Sequence, residues 1–128
     1  MTMTNEEINE KIMRLLGWQK IDVPAWQSPA WQQYTENGTE YWYGECPINY
    51  VGGAEFDSIV RILAGNNDRL VVEVRYQHPD AIRYTAYIIT ARHMKIAVGK
   101  ADTYQRAVCL TFIAWREWIA EQVAGQHE

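Results

Sequence analysis

One pattern constrains this chain more than any other: residues 102–123, DTYQRAVCLTFIAWREWIAEQV. Tyr104, Val108, Phe112, Trp115, Ile119 and Val123 recur there at steps of three and four. That is the spacing of one helix face, and no strand alternates that way. Asp102 is the expected N-cap, with Gln105 completing a capping box, and Gly125 is the expected left-handed stop. Cys109, Ile113 and Trp118 widen the apolar face, so the helix is expected to touch a sheet and a second neighbour. Trp115 and Trp118 read as core or subunit contact.

A second helix pattern opens the chain at residues 4–16. Thr4 and Glu7 make a capping box, Ile8, Ile12, Leu15 and Leu16 form the buried face, and Gly17 stops it. Glu6, Asn9, Glu10 and Lys11 read as its wet side. Between residues 18 and 50 periodicity fails, and prolines at 24, 29 and 47 break any long element, so the reading is a long loop. Trp18, Trp26, Trp31, Tyr34, Tyr41, Trp42, Tyr43 and Tyr50 give that loop too much apolar surface to leave in water. Asn37-Gly38 marks a turn, with a short strand expected at residues 39–43.

The spacing predicts a helix over residues 54–64, buried through Phe56, Ile59, Val60 and Leu63 and stopped by Gly65. Alternation predicts strands over 69–77, 82–91 and 94–98, the last burying Met94, Ile96 and Val98 and ending at Gly99. His78-Pro79-Asp80 and Arg92-His93 read as turns. The expected architecture is α+β, a small antiparallel sheet of three to four strands packed with three helices in an α/β/α sandwich. At 128 residues it is one domain.

Composition narrows the function classes. A net charge of -4 with both signs interspersed argues against a bulk electrostatic grip on long nucleic acid or an anionic membrane. No apolar run reaches the ~18 residues of a membrane span, and the acidic, polar N-terminus is unlike a signal peptide, so the cytoplasm is the expected compartment. Cys46 and Cys109 stand far apart without clustered histidines, which argues for a buried thiol over a metal site. No cofactor is expected. Ser28, Ser58, Cys46, Cys109, His78, His93 and His127 fall in no nucleophile signature. Glu36, Glu40, Glu45 and Glu55 lack the spacing of a hydrolase pair or a calcium loop. Gly52-Gly53 before a helix offers backbone N–H groups to an anion, but an ordinary flexible entry explains it as well.

Leu15-Leu16-Gly17-Trp18 ending the first helix, the aromatic loop, the strand meander and the closing ADTYQRAVCLTFIAW helix together resemble the small phage proteins of the phage ABA sandwich domain family, over most of the sequence. Tyr50 is followed by Val51-Gly52-Gly53-Ala54, where the family enters its second helix with a Tyr-Thr-x-Asp-Leu-like segment. The resemblance implies a virus-encoded accessory protein in the cytoplasm of an infected bacterial host, and no catalytic motif.

The remaining constellation is aromatic rings with cations: Trp26, Trp31, Tyr41, Trp42 and Tyr43 beside Arg75, Arg83, Arg92 and Lys95. Rings stack bases and arginines grip phosphate, so these nine are the candidate residues for binding a small nucleotide-type ligand. The plainer alternative is that the tryptophans cover a sheet and the arginines keep its other face wet. The expectation is an anti-defence protein that sequesters a host immune signal without cleaving it, through a pocket that a homo-oligomer would close better. The alternative is a module that inhibits a host protein through exposed aromatics. An enzyme ranks last.

Overall fold

The computed structural model describes residues 3–23, 28–43, 46–65, 69–78 and 81–125, apart from the side chains of residues 23, 28, 29, 76–78, 81 and 82. Residues 66–68, Pro79-Asp80 of the expected turn, Trp26, Glu45 and His127 lie outside that description. The fold is α+β, with three helices and two three-stranded antiparallel sheets. Its order is α1 (Asn5–Leu15), β1 (Gln19–Val23), β2 (Ser28–Thr35), β3 (Gly38–Tyr43), α2 (Phe56–Ala64), β4 (Arg69–His78), β5 (Ala81–Ile89), β6 (Lys95–Ala101) and α3 (Tyr104–Gly125).

α1 follows the sequence closely at both ends. The Thr4 hydroxyl accepts from the Glu7 N–H at 3.1 Å, and the Glu7 carboxylate accepts from the Thr4 N–H at 3.2 Å, completing the capping box. At the other end Gly17 stands at φ 97°. The Gly17 N–H donates to the Arg14 carbonyl and the Trp18 N–H to the Met13 carbonyl, a Schellman closure. Asn9 does not lie on the wet side. It is only 6% exposed, and its carbonyl oxygen accepts from the backbone N–H groups of Tyr50 and Val51 at 2.9 and 3.0 Å. Its amide donates to Asn49 at 3.3 Å, and Asn49 accepts from the Gly52 N–H at 2.9 Å. These bonds clamp residues 48–52 onto α1.

The expected long loop is mostly sheet. β2 is the centre of the order β1-β2-β3, with Trp31 opposite both Lys20 and Trp42. Glu36-Asn37 closes the β2–β3 hairpin, and Gly38 takes φ 120°. Pro29 is tolerated because it pairs only with β1. Pairing with β3 begins one residue later, at Ala30.

In the second sheet, order β4-β5-β6, the buried face of β6 is the reverse of the one expected. Ala97, Gly99 and Ala101 turn inward, whereas Met94 and Val98 are exposed, and β6 continues through Gly99 to Ala101. The reason is the approach of α3. A Cβ at Gly99 would meet the Ala107 carbonyl and lie 2.5 Å from the Thr111 nitrogen. Only small residues admit a helix that close. The Thr111 hydroxyl reaches the Ala86 carbonyl of β5 at 2.9 Å, which fixes the helix on the sheet.

α3 is capped by Thr103 instead of Asp102: its hydroxyl accepts from the Arg106 N–H at 3.3 Å. Asp102 pairs with the Arg106 guanidinium at 3.6 Å. Gly125 is the last helical residue and not a left-handed stop, and Tyr104 and Val123, at the two ends of the stripe, are exposed. The middle of the helix, from Ala107 to Trp115, enters a core shared with Ile8, Ile12, Met13, Trp31, Ile59, Leu63 and Ile88. Arg116 donates to the Leu15 carbonyl at 3.0 Å and Arg106 to the Met3 carbonyl at 2.6 Å, tying α3 to both ends of α1.

Two buried acids make the core sensitive to alkali. Burial pushes the Cys109 thiol up to about 12 from 9.0. Burial first, then the charge of Glu55, pushes the Tyr50 phenol up to about 12 from 10.0. Both protons are held more tightly when folded, so stability is intact below about pH 9 and falls as pH rises toward 12. By about pH 11 the thiol alone accounts for roughly 2 to 3 kcal/mol. Urea midpoints should therefore drop steeply above about pH 9, and Cys109→Ala should flatten that drop while lowering stability modestly at neutral pH.

Candidate interaction surfaces and cleft

The two sheets separate what the sequence suggested as one constellation. On β1–β3, alternation sends Trp31, Gln33 and Trp42 to one face and Gln32, Tyr34, Tyr41 and Tyr43 to the other. At Trp31 and Gln33 the first face meets the C-terminal end of α1. Trp31 is 1% exposed, lies under the guanidinium of Arg14 at 5.2 Å, and belongs to the core. Gln33 donates to the Leu16 carbonyl at 2.6 Å. Trp31 is therefore a packing residue and no ring for a ligand.

The opposite face presents Tyr34, Tyr41 and Tyr43 at 70%, 44% and 61% exposure. Tyr41 and Tyr43 stack at 6.1 Å, and Gln32 donates to the Tyr34 hydroxyl at 3.2 Å. Gln19, Ile21 and Thr39 share this face by register. No charged side chain stands among its described positions. Tyr34 was counted in the aromatic segment but not as a binding residue. Its alternation with Gln32 was the available signal, hidden while β2 passed for loop.

The cations lie on the second sheet, on the face turned away from α3. Arg75 is directly opposite Arg83, and Arg69, Lys95 and Lys100 share that face by register. All five are exposed. Arg75 has Glu73 at 3.5 Å, and Glu73 also accepts from the Tyr87 hydroxyl at 2.9 Å. That bond, with burial adding to it, raises the Tyr87 phenol above its ordinary value. The Lys95 ammonium sits 4.3 Å over the Tyr87 ring. Arg92 is exposed in the turn before β6, beside His93 at φ 63°. None of the candidate rings Trp31, Tyr41, Trp42 and Tyr43 belongs to this sheet, and Trp26 lies outside the described residues.

No family model, curated protein or solved structure matches the chain. What its surfaces can do is carried by its own residues. Among the described residues no group of three or more His, Cys, Asp or Glu could hold a metal ion, and no helix is long and apolar enough to cross a membrane. Cys46 is exposed and Cys109 is buried, so only the second thiol meets the expectation of burial.

A third feature is an open cleft of about 640 Å³ between β3 and the entry to α2. Trp18, Glu40, Tyr41, Trp42, Ile48 and Glu55 are among its walls. The Schellman turn at Gly17 sets Trp18, the hairpin sets β3, and the Asn9 clamp sets the segment that follows. The Trp42 indole donates to the Cys46 carbonyl at 2.9 Å, which fixes the ring. Gly53 is needed for the tight turn, because a Cβ there would lie 2.6 Å from the Asn49 carbonyl. The Gly52 N–H is already bonded to Asn49, so Gly52-Gly53 is a constrained entry and a poor anion nest.

Proposed function

We infer that this protein is a protein-binding module whose contact surface is the tyrosine face of β1–β3. The observation that carries the reading is three exposed tyrosines on one uncharged sheet face. Tyrosine gives large contact area for few rotatable bonds, and such rings serve as interface anchors. An anionic nucleotide finds no partner charge there, whereas a mixed polar and apolar protein surface needs none. If the chain is virus-encoded, as the resemblance implies, the partner is a host protein that the module occludes.

The double substitution Tyr34→Ala/Tyr43→Ala should weaken the complex by about 100-fold or more, as loss of two anchors does. Each change should cost the fold about 1 kcal/mol or less, because both rings are largely in water. Co-purification from host lysate, with thermal melting as control, checks this. A partner retained equally by wild type and double variant contradicts it.

Nucleotide sequestration is a second reading, supported by the pair Arg75 and Arg83. Like charges directly opposite on neighbouring strands oppose pairing, and an anion would relieve them. Native mass spectrometry with linear and cyclic nucleotides tests it. Retention should then vanish in Arg75→Ala/Arg83→Ala and survive in the tyrosine variant.

A further inference from the structure

We propose that the cleft between β3 and α2 binds a small organic cation, its ammonium or guanidinium group lying against Trp18 and Trp42 with Glu40 and Glu55 as counter-charges. Four observations converge on that chemistry. The volume, about 640 Å³, suits a whole small molecule. Trp18 and Trp42 line it, and the negative faces of such rings attract a cation. Both charged residues lining it are carboxylates, and no Lys, Arg or His appears among its described walls. The Trp42 ring is held by its bond to Cys46, so the site is built before a ligand arrives. Both charged side chains there repel an anion, and a neutral apolar ligand would leave the carboxylates without a partner.

The site does not rest on the tyrosine-face reading, and its test separates the two. Choline and its uncharged carbon isostere 3,3-dimethylbutan-1-ol have nearly the same shape. The full chain is titrated with each and followed by the indole N–H resonances of Trp18 and Trp42 and the amide of Gly53. Choline should give saturable shifts at those groups, with a dissociation constant on the order of millimolar. The isostere should bind about tenfold more weakly or less. Glu40→Gln/Glu55→Gln should cut choline affinity at least about tenfold while the melting temperature stays put, since both side chains are exposed. Tyr34→Ala/Tyr43→Ala should leave the choline shifts intact. Equal binding of the isostere, unchanged affinity in the double glutamine variant, or absence of any saturable shift would overturn the proposal. So would adenosine monophosphate shifting these resonances more strongly than choline.

Discussion

Gly99→Ala should lower stability by more than about 3 kcal/mol, although it adds a single methyl group. The methyl would be driven into the Ala107 carbonyl, 2.5 Å from the Thr111 nitrogen and 2.6 Å from its hydroxyl. Two of these three neighbours are helix backbone, and backbone cannot swing aside as a long side chain can. Relief requires α3 to lift from β6, which would open the contacts of Ala97 and Ala101 and stretch the Thr111 bond to Ala86. Urea unfolding measures the loss. Lys100→Ala, one residue on and on the exposed face, should change stability by no more than about 0.5 kcal/mol. A Gly99→Ala protein as stable as wild type would show that α3 is not seated on β6 as described.

Asn9→Leu should cost roughly 1 to 4 kcal/mol, because the buried Val51 N–H loses its acceptor and the Tyr50 N–H keeps only the Ile48 carbonyl at 3.1 Å. Tyr50 and Val51 are 3% and 4% exposed, and leucine has no acceptor to replace the amide oxygen they share. The effect should be local as well as global. Hydrogen exchange at these two amides should accelerate far more than at β4 or β5, since the clamp holds a segment and not the sheet. Glu10→Ala, next in sequence but half-exposed, should be nearly neutral despite its 3.1 Å pair with Arg14. An Asn9→Leu variant with unchanged exchange at Tyr50 would remove the clamp from the account.

These two residues also mark where the sequence stops being informative. α1, α3 and the β4–β5 strands were legible because local rules decide them: caps at Thr4 and Gly17, a three-four repeat, a two-residue alternation. Asn9 was misread because a polar residue on a helix looks wet until a distant segment is known to need an acceptor. β6 was turned the wrong way because Met94, Ile96 and Val98 outrank Ala97, Gly99 and Ala101 in hydrophobicity, while the approach of α3 selects for smallness. β1 and β2 were missed because Gln32, Gln33 and Lys20 dilute the alternation and Pro29 falls inside a strand that is half an edge. The binding surface suffered from the same cause. With β2 unrecognised, Trp31 and Tyr34 could not be assigned to opposite faces, and rings and arginines from different sheets were pooled into one site. The placement of Arg75 and Arg83 away from the helices was legible, since it followed from alternation alone, whereas Lys95 reaches that face through the irregular pairing at Ile88 and Ile89.

We propose that the tyrosine face, and not the arginine face, meets a partner protein of an infected host. Site-specific incorporation of the photo-crosslinker p-benzoylphenylalanine at position 34 and, separately, at position 83 tests it most directly in host lysate. A discrete adduct with one host protein from position 34, lost when Tyr43→Ala is added and absent from position 83, is the predicted result. A protein adduct from position 83 alone, or a position 34 adduct indifferent to Tyr43, would contradict it.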